Sequence, residues 1–182
     1  MKTEKSAKVQ KKGGEHMKKI LSLDQSTSNV GFAIFEDGEL KDYGCIRYSK
    51  KINSNNMYSI FLKTVEKIEN EKPDIVLIED VYAKKMPIYN KKTKKIIMEY
   101  NIQTHKKLAN LQGMFISYFI LHQIDFEIVA PKTWQKVVKS GTVKKEDTLS
   151  FVNKKYSINL KNDNIADSIC IGLSYISVCE NL

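Results

Sequence analysis

The stretch that most limits the fold of this chain is residues 20–35, in which two β-rich runs are joined by a short polar segment. Apolar and polar residues alternate in the first run, and the second run extends from Val30 to Phe35. The polar residues 25–29 between them predict a tight hairpin connection. Asp24 therefore ends a buried strand, where a carboxylate can hold a metal ion against a phosphate or can simply cap the turn.

The net charge of the 182-residue chain is +9, and two segments carry the whole excess. Residues 1–19 contain seven Lys and two Glu, and residues 84–107 contain eight Lys and one Glu. A concentrated positive charge favours a polyanionic partner such as nucleic acid, although many basic proteins bind none. The Lys-rich segment over 83–100 also contains Tyr, which suits phosphate contacts with base stacking; a solvated mobile loop is the alternative.

Length and composition predict one α/β domain over residues 17–182, preceded by a flexible basic tail over 1–16. The longest apolar run, 114–121, is too short to span a bilayer, and we expect a soluble cytoplasmic protein. The cysteines lie in apolar patterns without metal-ligand spacing, so we expect no zinc site and three reduced core residues, Cys45, Cys170 and Cys179.

Hydrophobic periodicity predicts the remaining elements. Strands are expected over 40–47, 75–79 and 126–129, and helices over 103–122, 131–138, 144–154 and 163–178, after an earlier helix that ends near Pro73. Asn53 or Ser54 is the expected cap of that earlier helix, and Thr142 caps the helix that begins at 144. Gly113 predicts close packing of the long helix against another backbone.

Two further carboxylate positions accompany Asp24. Glu79 ends the strand over 75–79, and it would share a crevice with Asp24 if the two strands are parallel neighbours; otherwise it faces solvent. Asp163 and Asp167 lie one turn apart at the start of the last helix, with Asn164 beside them. Divalent cations would compensate their repulsion if this face is buried, whereas an exposed first turn would need none.

This order of elements and carboxylates resembles the RuvC-type Holliday junction resolvases of the RNase H-like superfamily from about Lys18 to Tyr175. The motifs that carry the resemblance are Leu23-Asp24 with Val30-Gly31, Gly44 to Arg47, Pro73 to Tyr82, Leu111-Gln-Gly113 and Ala166-Asp167. The resemblance implies an RNase H-like fold with a mixed five-stranded sheet flanked by helices. It also implies a homodimer that makes paired, Mg²⁺-dependent nicks in four-way and other branched DNA.

The resemblance also implies roles for individual residues. Asp24, Glu79 and Asp167 match catalytic metal-binding carboxylates, while the family's fourth acidic position holds Asn164, so that Asp163 is the substitute candidate. Two Mg²⁺ ions per active site are implied, and Mn²⁺ can substitute.

Other matched positions concern DNA. Tyr82 matches an aromatic used against bases near the crossover, and Lys145 matches a basic residue near the scissile phosphate, which makes it a catalytic candidate. A second family lysine falls on Gln135, with Lys136 adjacent. The predicted DNA-binding residues are Tyr82, Lys84, Lys85, Lys91, Lys92, Lys136, Lys144 and Lys145.

Several alternatives stay open. The long Lys-rich insertion indicates a divergent, phage-encoded member acting in a bacterial or phage-infected cytoplasm, and it leaves open the dependence on branch-migration partners. A nuclease for RNA–DNA hybrids could use the same carboxylates, and a junction-binding protein without catalysis would explain Asn164. The hairpin at Asp24 also resembles the phosphate-binding hairpin of sugar kinases and actin, but those proteins need two lobes.

Overall fold

The computed structural model describes residues 19–47, 56–83, 85–90, 93–139 and 142–180. The predicted tail and the proposed cap residues Asn53 and Ser54 lie outside these ranges. The described strands are β1 (Ile20–Asp24), β2 (Asn29–Glu36), β3 (Glu39–Arg47), β4 (Ile75–Glu79), β5 (Lys85–Asn90), β6 (Lys95–Tyr100) and β7 (Phe126–Val129). The described helices are α1 (Asn56–Glu71), α2 (Ile102–Leu121), α3 (Pro131–Val138), α4 (Lys145–Tyr156) and α5 (Asp163–Glu180).

The main sheet has five strands in the order β3-β2-β1-β4-β7. β1, β2 and β3 form the predicted antiparallel meander, whereas β1, β4 and β7 run parallel. The predicted mixed five-stranded sheet with flanking helices is therefore confirmed. Because β1 and β4 are parallel neighbours, their carboxyl ends lie side by side.

Helices cover both faces of this sheet. On one face Val76 and Ile78 of β4 pack with α1 and α2, and on the other Ile75 and Leu77 pack with α3, α4 and α5. This explains why β4 reads as an unbroken apolar run, since a parallel central strand is buried on both sides. No helix in the described ranges is both long enough and apolar enough to cross a bilayer.

The segment predicted as a Lys-rich loop over 83–100 contains a β-hairpin instead. β5 and β6 pair with each other in a separate two-stranded sheet. Tyr89 and Ile96, which favour strands, lie opposite each other in this hairpin on either side of the lysine-rich turn. The strand propensity of these residues was overlooked because lysines dominate the composition of the segment.

Three smaller predictions were wrong. α4 begins at Lys145, and its cap comes from within the helix, because the Asp147 carboxylate accepts a hydrogen bond from the Lys144 amide at 2.8 Å; Thr142 does not cap it. A Cβ on Gly113 would meet no described atom within 4 Å, so this glycine does not pack closely within the chain. Cys170 is buried and Cys45 half-buried, but Cys179 is exposed on the last turn of α5.

Candidate active site

Asp24 and Glu79 lie at the adjacent carboxyl ends of β1 and β4. The register pairs Leu23 with Ile78, so the carboxylates occupy the next position on each strand. Asp24 is only 8% exposed, and Glu79 is partly buried. Because β1 and β4 are parallel neighbours, Asp24 and Glu79 meet the predicted condition for sharing a crevice.

Asp163 and Asp167 lie at the start of α5, which can approach β2 closely because Gly31 has no side chain. Gly31 pairs with Asp24 across the sheet, and a Cβ there would lie 2.0 Å from the backbone carbonyl oxygen of Asn164. The first turn of α5 therefore rests directly on the backbone of β2. A hydrogen bond of 2.7 Å from the Ser22 hydroxyl to the Ser168 carbonyl holds the helix on β1 one turn later.

Three side chains position Glu79, and sequence reasoning identified none of them. The indole Nε1 of Trp134, a residue only 3% exposed, donates a hydrogen bond of 2.8 Å to Glu79 Oε1. The side-chain amides of Gln25 and Gln112 both donate to the backbone carbonyl of Glu79, at 2.8 and 3.1 Å. The main chain of Glu79 is thus fixed by the turn after β1 and by α2, and its carboxylate is fixed by α3.

The carboxylates repel one another in a poorly solvated place. Burial, followed by the charges of Glu79 and Asp167, raises the pKa of Asp24 well above its usual range. Burial and the charges of Glu79 and Asp163 likewise raise the pKa of Asp167 to about 7, although the Thr148 hydroxyl partly opposes this. Such mutual repulsion shows that all four acidic groups share one electrostatic environment.

Lys145 supplies a positive charge at the edge of this cluster. Its ammonium forms an ion pair with Asp163, which lowers the pKa of Asp163 and raises that of Lys145. The charge of Lys145 also reaches Asp24 and Asp167. The backbone of Asn164 is held at the start of α5: its amide donates to Asn162 Oδ1 at 3.0 Å, and its carbonyl lies against Gly31.

The donor set fits a hard divalent cation. Carboxylate oxygens are the ligands that Mg²⁺ prefers, and a dication would relieve the repulsion between Asp24 and Asp167. Asp167 Oδ1 is buried and has no hydrogen-bond partner in the described part of the chain. Within that same part, no three Asp, Glu, His or Cys side chains form a ready-made metal site. Side-chain movements would therefore accompany cation binding.

A cleft of about 650 Å³ lies between the chain that follows Glu79 and the start of α3. Tyr82, Gln135 and Lys136 line it, so three residues of the predicted DNA-contacting region meet there. Lys144 and Lys145 are exposed at the start of α4. Of the predicted lysines in the insertion, Lys84, Lys91 and Lys92 lie outside the described residues, and Lys85 begins β5.

Curated relatives match most of this chain, although no protein-family model matches it. A protein of Campylobacter concisus named crossover junction endodeoxyribonuclease RuvC is 29% identical over 164 residues, which cover 86% of this chain and 95% of that protein. The protein of the same name from Brachyspira hyodysenteriae is 25% identical over 163 residues, which cover 86% and 92%. The resemblance to RuvC-type proteins is thus confirmed over nearly the whole domain.

A solved structure gives the same result for the fold. The Thermus thermophilus RuvC structure in complex with a Holliday junction substrate superposes with a TM-score of 0.65 at 12% identity. The superposition covers 90% of this chain and 96% of that one. The predicted RNase H-like fold is therefore confirmed.

Proposed function

We propose that this chain, a relative of the RuvC-type Holliday junction resolvases in sequence and fold, is an endonuclease that resolves four-way and other branched DNA junctions by metal-dependent hydrolysis. The observation that carries the proposal is the convergence of Asp24, Glu79 and Asp167 at one end of the sheet, near the cleft that Tyr82 and Lys136 line. The names of the curated relatives support the choice of branched DNA as substrate.

Different residues of the chain would have different roles in hydrolysis. Asp24, Glu79 and Asp167 would hold divalent cations, with Asp163 as the fourth ligand. When bound, two ions such as Mg²⁺, or Mn²⁺ in its place, activate a water and neutralise charge on the leaving oxygen. Trp134 keeps Glu79 Oε1 oriented, and the Lys145 ammonium is placed to contact the phosphate once it leaves Asp163.

Asp163 is a better candidate than Asn164 for the fourth ligand. The Asp163 charge contributes to the raised pKa of both Asp24 and Asp167, so its carboxylate acts on the same site. Asp163 also carries the negative charge that a hard cation needs, which an amide does not supply. In this proposal Asp163 compensates for the departure from the family pattern at Asn164.

Cleavage of end-labelled synthetic four-way junctions tests the function directly. Purified protein is incubated with the junction, a linear duplex of the same sequence and an RNA–DNA hybrid, with and without Mg²⁺. We expect paired, metal-dependent nicks confined to the junction. Cleavage of the hybrid alone would assign the chain to the hybrid nucleases, and junction binding without any cleavage would indicate a structural DNA-binding protein.

The hydrogen bond from Trp134 gives a prediction about Glu79. Trp134→Phe keeps most of the buried ring but removes the indole donor, so the Glu79 carboxylate loses its fixed orientation. We expect cleavage to fall roughly tenfold to a hundredfold, together with a higher Mg²⁺ requirement, because partners of metal ligands typically have effects of this size. Mg²⁺ titration of the cleavage rate measures both effects.

The control for Trp134→Phe is Tyr156→Phe, which removes one polar atom from a half-buried aromatic residue on α4. It should cleave normally. A Trp134→Phe protein with an unchanged rate and unchanged Mg²⁺ dependence would show that this hydrogen bond does not position Glu79.

We also propose that the enzyme acts as a homodimer through the exposed side of α2. A groove of about 640 Å³ on this side is lined by Gly113 and Leu121, and the next residue to Leu121, Ile120, is also exposed. No described atom lies within 4 Å of a Cβ built at Gly113, so this side of α2 leaves room for a second copy. Paired nicks on opposed strands also require two active sites.

Gly113→Arg tests this interface without a clash inside the protomer. Arg is a better helix former than Gly by about 1 kcal/mol, so the fold should not suffer. We expect the variant to sediment as a monomer and to lose paired nicking, while Gln103→Arg, at an exposed position of the same helix, stays dimeric. Sedimentation velocity at micromolar concentration measures this, and a dimeric Gly113→Arg protein would place the interface elsewhere.

A further inference from the structure

The β5-β6 hairpin presents an apolar face to solvent. Directly opposed residues in an antiparallel pair share a face, and side chains alternate along each strand. Tyr89 lies opposite Ile96, and Tyr100 lies four residues after Ile96, so these three residues share one face, hereafter the hairpin face. They are 59%, 71% and 51% exposed.

A face of this kind needs an occupant. An isolated two-stranded sheet is only marginally stable in water, and this one does not join the main sheet. Exposed aromatic and aliphatic side chains at neighbouring positions are typical of interaction sites. The hairpin face is therefore a candidate interaction surface.

The positive charge of residues 84–107 favours a nucleic acid as the partner of the hairpin face. Residues 84–107 contain eight Lys and one Glu, and Lys94 and Lys95 are exposed beside the hairpin turn. Aromatic side chains among lysines are the usual platform on which bases stack while the lysines contact phosphates. Interspersed lysines and exposed aromatic residues therefore favour a nucleic acid as the partner.

The position of the hairpin ties it to the active site. β4 ends at Glu79 and β5 begins at Lys85, so the connection spans at most about 20 Å. Tyr82 lies in this connection, is exposed and lines the cleft beside α3. DNA cut at the carboxylates would thus pass within reach of the hairpin face.

We propose that the hairpin face stacks on bases exposed at the branch point and thereby selects branched over linear DNA. This inference rests on the proposed function and adds to it the part of the substrate that the insertion recognises. In a linear duplex every internal base stacks on its neighbours, whereas opening a branch point leaves base faces without a stacking partner. Tyr89 and Tyr100 would supply that partner.

The test compares two double variants of the same hairpin. Tyr89→Ala/Tyr100→Ala removes the aromatic face, and Lys94→Gln/Lys95→Gln removes charge only. Binding to a four-way junction and to a linear duplex is measured by fluorescence anisotropy, in EDTA so that no cleavage occurs, over a series of salt concentrations.

We expect the tyrosine variant to lose roughly tenfold to a hundredfold in junction affinity, with little change on the linear duplex. The lysine variant should weaken binding to both substrates and reduce the salt slope by about 2. A Tyr89→Phe/Tyr100→Phe protein keeps the aromatic faces and should restore selectivity, which separates stacking from hydroxyl contacts and from misfolding.

Equal losses on both substrates, or no loss on either, would overturn the inference. A fluorescent adenine analogue placed at the branch point gives an independent readout, because its emission should change on binding the unaltered protein and not on binding the alanine variant. The failure of the proposed function is distinguishable: in that case the unaltered protein itself would not cleave junctions. Intact cleavage with unaltered selectivity in the alanine variant would reject the hairpin inference alone.

Discussion

Asp24→Asn should reduce junction cleavage at least several hundredfold and leave the protein as stable as before, or more stable. The loss of activity follows because a bound metal supplies several kcal/mol of transition-state stabilisation, and each 1.36 kcal/mol is a factor of ten in rate. Stability should not fall, because burial and the charges of Glu79 and Asp167 already disfavour the ionised form of Asp24. An amide of nearly the same shape removes that repulsion.

Three measurements on the Asp24→Asn protein separate catalysis from folding. The cleavage rate is measured with saturating Mg²⁺, the junction affinity in EDTA, and the midpoint of thermal unfolding in EDTA. Asp125→Asn is the matched control, since Asp125 is exposed at the opposite end of the parallel strands, just before β7. Cleavage by Asp24→Asn within a few-fold of the unaltered rate would remove Asp24 from the mechanism, and lost junction binding would show a structural role instead.

The sheet could be predicted from sequence because its signals are local. The alternating run before Asp24 and the unbroken apolar run before Glu79 predict the strand type, and the carboxylate at the end of each strand indicates the candidate site. In α1 the apolar residues Ile60, Val65 and Ile68 recur at helical spacing, and all three are buried. Each inference uses only neighbours along the chain.

The supports of the site could not be predicted in this way because they join distant segments. Trp134 reaches Glu79 across 55 positions of sequence, and Gln112 reaches it across 33. On its own helix Trp134 reads as one more buried apolar residue, and nothing in the local pattern says that its indole nitrogen meets a carboxylate. The hairpin was missed for another reason, since the lysines that border its strands dominate the composition of the segment.

Gly31 belongs to a motif that was recognised in the sequence, but its structural importance was not apparent there. Val30-Gly31 is part of the resemblance to the resolvases, yet a glycine in a strand is only a weak signal of a close approach. In the structure a Cβ at Gly31 would lie 2.0 Å from the Asn164 carbonyl oxygen and 2.4 Å from its carbon. These are backbone atoms of α5, which cannot turn aside as a side chain can.

Gly31→Ala should therefore displace the start of α5 and move Asp163 and Asp167 away from Asp24. We expect a destabilisation on the order of 1–3 kcal/mol, as overpacking in a core typically gives, and a loss of cleavage of a hundredfold or more. Urea unfolding and junction cleavage measure the two effects.

Gly44→Ala is the matched control for Gly31→Ala, because a Cβ at Gly44 meets only the far edge of the Phe32 ring, at 2.8 Å. A ring edge can shift where a helix backbone cannot, so this variant should retain most of its stability and its cleavage. Gly31 lies in β2 and Gly44 in the neighbouring strand β3, so replacing glycine by alanine changes the strand propensity similarly in both variants. A Gly31→Ala protein with the stability and activity of Gly44→Ala would show that the contact between β2 and the first turn of α5 does not hold the carboxylates together.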